Sequence, residues 1–373
     1  MEKEVYIPQY LGGIKHTTKG YPDYVNLIGA DTETANGEPT LISFCSDDIN
    51  PVVYEVDRNS ILDVFLKYLD ENTWNVRNHI KCTNVVFFHN LKFDLPIILH
   101  KYMKHFSRDN FTIEYLYDYA NMRYVSIEVF AKKIFLCKIK FGKMKHVTNA
   151  HGERELVFKN PKVINLLDSG NFFRVRLSVL ADKLRLPVKK MEAPKDLGQT
   201  NEIDDYTKEY AMNDAVVEYH LGKHIMDFHR VNDLPPTVSI AQLGQRYFCK
   251  YSMEKGDKIY LPRSDIIKAA MASYHGGKNG YYLDGVNKVN DVYVLDVVSM
   301  YPFIMKNMPP ISKGGYNTVS GEVDEHFEGI YCLNGYVKDC TYPIIYDHAF
   351  KPKSDCYVND IWVTSYELRE ALY

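Results

Sequence analysis

Apolar residues fall along the chain in two rhythms, one of period two or continuous and one of helical period. Val25 to Ala30 is a short apolar run that leads into Asp31, and Thr40 to Cys45 is a second. Asn36-Gly37 between them is a hairpin turn signal, so the two are read as paired strands with an acidic cluster where a strand ends. Ile61, Val64, Phe65, Tyr68 and Leu69 recur at helical spacing, and Ser60 with Asp63 resembles a capping box at the helix start. Asn84 to Phe88 has the character of a buried strand, after which Pro96 is placed to begin a helix. Alternation around Ile134 to Phe141 predicts another hairpin, and Val163 to Leu167 a strand ending at Asp168. Helices are expected from Phe172 to Leu184 and from about Asp205 to Phe228.

Mixed strands and helices with acids at element ends predict an α/β layer domain over residues 1–228. Leu234-Pro235-Pro236 is a boundary signal, and a linker region over 229–285 carries a helix near Ile240 to Ser252 and a glycine loop at Gly276-Gly277. A third region, 286–373, opens with an apolar strand from Asp291 to Asp296. Thr364 and Glu367 form a capped helix start that no glycine closes before Tyr373, and the expectation is a chain cut from something longer.

Composition narrows the class without deciding it. With 373 residues the chain can bury two or three cores, and 46% hydrophobic with 25% charged residues excludes a disordered or fibrous protein. The 30 tyrosines are read as half-buried packing. Met1-Glu2-Lys3-Glu4 precedes no apolar stretch, and no run is long enough to span a bilayer, so a cytoplasmic protein without membrane partners is expected. Seven cysteines, odd in number and never spaced as Cys-x-x-Cys, argue against a disulfide framework or a zinc knuckle. A net charge of −3 counts against a simple nucleic-acid-binding module. The charge is uneven, however: from Val129 to Gly152 there is no acid, while Lys132, Lys133, Lys138, Lys140, Lys143 and Lys145 all fall there. A solvated hairpin face and a phosphate track both fit that stretch.

Three short motifs carry chemistry. Asp31 and Glu33, two apart at a strand end, point to one face and can share a divalent cation, though a solvated turn also explains the pair. Asn90-Leu91-Lys92-Phe93-Asp94 follows a strand directly and sets a carboxylate at the mouth of a sheet, with a helix cap by Asn90 or Asp94 as the alternative. Tyr210 and Asp214, four apart on a helix, present a hydroxyl and a carboxylate from one side. Four converging acids would repel one another unless cations neutralise them, and two Mg²⁺ ions about 3.5–4 Å apart account for the set, since such a pair activates a water and holds a phosphate. Mn²⁺ is expected to substitute, and no small-molecule cofactor is called for.

In this order the motifs resemble the proofreading exonucleases of the DEDDy type, and more closely the protein-primed family B DNA polymerases of phages and linear plasmids. Phe87 to Asp94 is similar to their second exonuclease motif along its whole length. The resemblance implies an RNase H-like 3′-5′ exonuclease domain with Asp31, Glu33, Asp94 and Asp214 around the metals and Tyr210 orienting the attacking water. Thr34, His89, Asn90 and Phe93 would grip a frayed 3′ strand, and Lys190 would sit near the phosphate. Ser169 is the matching position of the next DNA-contact motif, but Gly170 follows it where the family usually has Leu.

Tyr274-His275-Gly276-Gly277 is similar to the family's Tyr-x-Gly-Gly segment, which contacts template, although an ordinary glycine turn is the plain alternative. Asp296-Val297-Val298-Ser299-Met300-Tyr301-Pro302 matches polymerase motif A, in which Asp296 would bind catalytic metals and Tyr301 would lie against the nucleotide sugar. The later palm motifs do not occur, so extension by this chain alone is expected to fail while nucleotide removal persists. Single-stranded 3′ ends, primer-template DNA and a terminal priming protein are the implied partners. A stand-alone ribonuclease of the same type and an inactive single-strand-binding fragment are the rival readings. A zinc hydrolase built on His220 and His224 lacks the adjacent Glu and a third ligand, and Gly276, Gly277 and Gly280 have no nucleotide-loop spacing.

Overall fold

The structure is a computed structural model that describes residues 4–6, 13–47, 49–74, 82–107, 110–130, 136–149, 151–199, 203–260, 264–274, 295–307, 316–318, 320–321, 326, 328–339, 344–346 and 353–372. Two short strands come first, β1 (Glu4–Tyr6) and β2 (Gly13–Lys15). The chain divides into two compact units, His16–Lys255 and the remainder, Met1–Lys15 with Gly256–Tyr373.

In the unit His16–Lys255 the elements are β3 (Tyr24–Ala35), β4 (Glu38–Ser46), β5 (Val52–Glu55), α1 (Ile61–Asn72), β6 (Cys82–Phe88), α2 (Leu91–Ile98), β7 (Asn110–Asp118), β8 (Arg123–Phe130), β9 (Leu136–Thr148), β10 (Arg154–Asp168), α3 (Leu177–Lys183), α4 (Asp205–Val231) and α5 (Ile240–Tyr251). Eight strands make one sheet in the order β5-β4-β3-β6-β10-β9-β8-β7. β6 runs parallel to both β3 and β10, and the outer pairs are antiparallel. Gly29, Phe87 and Leu167 therefore stand in one row, and two residues further on Asp31, His89 and Ser169 form the row at the carboxyl ends of the three central strands. In sheets of this kind that end is where ligands bind.

Period-two alternation divides the core between the two faces of the sheet. Ile28, Ile42, Phe44, Val86, Phe88 and Leu166 pack with α1 and α2 on one face; Leu27, Val85, Phe87 and Leu167 pack with α3 and α4 on the other. Because both faces are covered, Val25–Ala30 and Asn84–Phe88 read as continuous apolar runs rather than alternating ones. The Asn36-Gly37 turn has positive φ at both residues, 52° and 79°, as a two-residue hairpin joining Ala35 to Glu38 requires.

Several local expectations are corrected. Ser60 makes no side-chain cap on α1; the Asp57 carboxylate instead accepts bonds from the Asn59 and Ser60 amides (2.9 and 2.8 Å) and from the Ser60 hydroxyl (2.7 Å). Pro96 lies inside α2 rather than at its start. The helix expected from Phe172 is confined to α3, because the Phe172 and Phe173 amides bond back to the Ser169 carbonyl in a tight turn and Arg176 is extended. The hairpin expected near Leu136–Phe141 is met in kind: the alternation belongs to β9, which pairs antiparallel with its chain neighbours β8 and β10, Phe130 standing opposite Leu136.

The other unit adds β11 (Lys258–Tyr260), α6 (Ser264–Ala272), α7 (Met300–Asn307), β12 (Tyr316–Thr318), β13 (Ile330–Val337), β14 (Cys356–Thr364) and α8 (Ser365–Leu372). β1 pairs with β12, β2 with β11 and β13 with β14, all antiparallel. The capping box at α8 is reciprocal, with the Thr364 amide donating to the Glu367 carboxylate (2.8 Å) and the Glu367 amide to the Thr364 hydroxyl (3.3 Å). Lys132, Lys133, Ile134, Gly276, Gly277 and, of the strand expected from Asp291 to Asp296, residues 291–294 lie outside the described residues; Leu295 and Asp296 are not in a strand. Among the described residues no helix is long and apolar enough to cross a membrane.

Candidate active site

The acids at the end of β3 meet the middle of the unit's longest helix. Oxygens of Asp31, Glu33 and Asp214 lie within 4.8 Å of one another, a spacing that can hold a metal ion. α4 can approach β3 so closely because residue 29 is glycine: a Cβ there would stand 2.3 Å from the Ala215 carbonyl oxygen and from the Tyr219 amide nitrogen. Ser43 on β4 fastens the same stretch by donating to the Ala211 carbonyl (2.8 Å).

Asp94, in the first turn of α2 and 2% exposed, accepts the Thr32 hydroxyl (2.7 Å), and it lies close enough for its charge to act on Asp31 and Glu33. Burial pushes Asp94 up to about 7 against the pull of Thr32, and burial with the nearby Asp214 charge pushes Glu33 up to about 7. Asp31 is raised well above the usual carboxylate range by burial and by Asp94, Glu33 and Asp214. Asp214 is raised by burial although Lys190 works against the rise. A site that holds its protons in this way is one that favours a cation in their place.

Lys190 supplies one such charge. Its ammonium donates to both oxygens of Asp214 and to the Tyr210 hydroxyl (3.0 Å), and lies 4.6 Å from the centre of the Tyr210 ring. Burial would lower the Lys190 pKa, but Asp214 and the two hydrogen bonds more than offset it and the group is raised. Burial pushes the Tyr210 hydroxyl up to about 12. The segment carrying Lys190 is aimed by Asn213, which accepts from the Met191 amide (2.9 Å) and donates to the Lys189 carbonyl (3.0 Å).

At the ends of β6 and β10, His89 Nδ1 and the Ser169 hydroxyl are 2.9 Å apart. The Asp168 carboxylate accepts the amides of Asn90 (3.0 Å) and Gly170 (2.8 Å), tying the two strand ends together. Asn90 is left-handed at φ 77° and makes no side-chain cap, and Phe93 is 51% exposed on the first turn of α2. Thr34 is half-buried just beyond the register shift after Glu33. Ser169, by contrast, is fully buried, so it reaches outward only through His89.

The second unit contributes nothing comparable among the described residues. Asp296 is exposed, Tyr301 on α7 is 65% exposed, and Tyr274 is 70% exposed, with no further acids gathered around Asp296. Sequence reading missed Thr32, Asp168, Asn213 and Glu218. Glu218 is 1% exposed, one turn after Asp214, and burial holds its pKa well above the usual range against the pull of the nearby Ser169 hydroxyl. The only signal for it was the continuation of the Tyr210–Asp214 stripe by another four residues.

A family profile described as DNA polymerase type B, organellar and viral, matches residues 76–371. The chain belongs to that family. Its members are enzymes that act on DNA and use divalent metals. Among curated proteins no match was found. Phi29 DNA polymerase complexed with primer-template DNA, in its post-translocation binary complex, is similar at TM-score 0.55 and 14% identity, over 93% of this chain and 57% of that one. The orthorhombic crystal form of the same polymerase aligns at TM-score 0.40 and 12% identity, over 68% of this chain and 39% of that one. The complex with single-stranded DNA aligns at TM-score 0.36 and 12% identity, over 58% and 33%. This polymerase-family chain thus spans between a third and somewhat over half of the chains it matches. The first likeness shows a shared fold, and the large mixed sheet with helices on both faces accords with an RNase H-like exonuclease domain.

Proposed function

We propose that residues 1–228 are a 3′-5′ exonuclease that removes nucleotides from DNA 3′ ends, and that a polymerase palm begins near residue 286 after a linker over 229–285. The observation that carries the reading is the gathering of Asp31, Glu33 and Asp214 oxygens within 4.8 Å, flanked by Asp94. Buried carboxylates that resist losing their protons together fit a pair of divalent ions, Mg²⁺ with Mn²⁺ as a substitute. Such ions supply charge neutralisation at the scissile phosphate and an activated water.

The chain's own residues do the rest. With its pKa pushed up to about 12, the Tyr210 hydroxyl keeps its proton at neutral pH and orients water by hydrogen bonding. Lys190 neutralises Asp214 and brings a positive charge toward the phosphate. The exposed Phe93 ring stacks on a base, and Asn90, Thr34 and His89 contact the frayed strand, with Ser169 holding His89. In the parent polymerase, Tyr274, Gly276 and Gly277 contact template, Asp296 binds a palm metal and Tyr301 lies against the incoming sugar. Primer-template DNA and a terminal priming protein are the partners of that larger assembly.

The test is digestion of 5′-labelled single-stranded DNA and RNA oligonucleotides with Mg²⁺ or with EDTA. A ladder from DNA with Mg²⁺, none with EDTA, and loss of cutting with retained binding in the Asp31→Ala, Glu33→Ala double variant are expected. Cutting by that variant would refute the assignment, and preferential cutting of RNA would make the chain a ribonuclease.

A further inference from the structure

A cation-lined cavity lies at the other end of the sheet from the carboxylates. It has a volume of about 540 Å³ and is bounded by Asp70, Arg123, Phe141, Lys143, Lys159 and Lys162. Its inner wall is structural. Asp70 in the last turn of α1 takes a two-pronged bond from Arg123 (2.8 and 2.7 Å) and an ion pair from Lys162 (2.8 Å). The Lys162 ammonium also closes the carboxyl end of α1 through the Asp70 and Thr73 carbonyls and lies 5.9 Å from the centre of the Phe141 ring. One carboxylate already faces two cations here.

The mouth adds two more. Lys143 on β9 and Lys159 on β10 are direct cross-strand partners, both exposed, and neither has an ion pair or side-chain hydrogen bond among the described residues. Like charges placed opposite one another across a strand pair are destabilising. The backbone arranges this on one side: Lys159 and Lys162 are three apart and would face opposite ways in a regular strand. The register shift between them, with Asn160 left-handed at φ 46°, turns both toward the same cavity. With the bulge, four cations line one cavity around a single carboxylate; Arg123 and Lys162 are paired with it, and the charges of Lys143 and Lys159 are left open to solvent.

We propose that this cavity is a second anion site, which binds phosphate groups of a nucleic-acid backbone away from the carboxylate cluster. From Lys162 to Asp168 β10 advances six residues, about 20 Å at roughly 3.3 Å per residue, which equals the rise of about six phosphates in a B-form strand. The site stands on its own residues and does not depend on the exonuclease reading.

Binding of a labelled single strand of about twelve nucleotides, followed in EDTA across a range of salt, tests it. The Lys143→Ala, Lys159→Ala double variant is expected to bind roughly tenfold more weakly, and its slope of log affinity against log salt to be shallower by about 1.4, at about 0.7 per lost phosphate contact. Inorganic triphosphate is the second probe: if the variant loses triphosphate binding but keeps the strand's affinity and slope, the ligand is a free polyphosphate and the backbone assignment is overturned. Unchanged affinity and slope for both probes overturns the site altogether. Thermal unfolding verifies that the variant folds, and the Lys143→Gln, Lys159→Gln pair replaces it if the Ala variant melts early. Failure here leaves the digestion assay untouched, and failure of that assay leaves this site untouched.

Discussion

Asn213 separates Tyr210 from Asp214 by position only, yet its amide grips the backbone on both sides of Lys190 and so fixes where that ammonium points. Replacing it with Ala removes two hydrogen bonds, each worth about 1 kcal/mol. The expected result is a fold that persists with a modestly lower melting temperature, and a cleavage rate that drops on the order of tenfold because Lys190 no longer sits over Tyr210. A variant with undiminished cleavage would show that the clamp is irrelevant to chemistry. Tyr210→Phe keeps the ring under the Lys190 ammonium and removes only the hydroxyl, so its rate is expected to fall on the order of tenfold, less than the ~10²-fold or greater loss for Glu33→Ala. Single-turnover rates at saturating cation compare the two directly.

At the scale of elements, the site exists because α4 lies almost in contact with the backbone of β3, and glycine permits that approach. In Gly29→Ala the new Cβ would collide with α4 backbone rather than with a movable side chain. Overpacking of this kind costs about 1–3 kcal/mol or more, and the helix must shift away from Asp31. A lower denaturation midpoint together with weakened Mn²⁺ binding is the expected pair of outcomes; a normal midpoint and normal binding would mean that the sheet accommodates the methyl. Gly244 in α5 is the contrasting case, with helical geometry and open space where its Cβ would be. Gly244→Ala is expected to stabilise by about 0.5–1 kcal/mol, read from the same denaturation curves.

For the whole molecule, the four site acids set a dependence of stability on pH. Their pKa values are raised on folding, those of Glu33 and Asp94 to about 7, so above the ordinary carboxylate range the folded chain holds protons that the unfolded chain has released. Their contribution is therefore most favourable at low pH and is lost as pH rises through the raised values, about 7 for Glu33 and Asp94. Asp70 acts in the opposite sense: although half-buried, it is held below the usual range by Arg123 and Lys162, and its contribution is lost as pH falls. The difference between wild type and Glu33→Gln isolates the first effect, and the Gln variant is expected to gain on wild type as pH rises from about 4.5 to about 7. Mg²⁺ should raise the wild-type melting temperature more at the upper end of that range than at the lower. A cation effect that is flat across the range would contradict the shared pocket.

Much of this was set by rules that act within a few residues. Asn36-Gly37 specifies a turn with positive φ, the apolar runs specify strands, and Tyr210 and Asp214 share a helix face whatever surrounds them. Strand-end acids and their order were legible for the same reason. Partnerships across the chain were not: Asp168 is 78 residues from the Asn90 amide it holds, Arg123 is 53 from Asp70, and neither spacing leaves a local mark. The lysine-rich stretch shows the limit most plainly. Its composition fitted two readings, but β-strand alternation sends Lys138 and Lys140 to one face and Lys143 and Lys145 to the other, the β9–β10 register sets Lys159 opposite Lys143, and only the bulge in β10 brings Lys162 to their side. Sequence determines which elements form because backbone preference and apolar period are local, whereas the pocket and its charge are decided by which strands become neighbours.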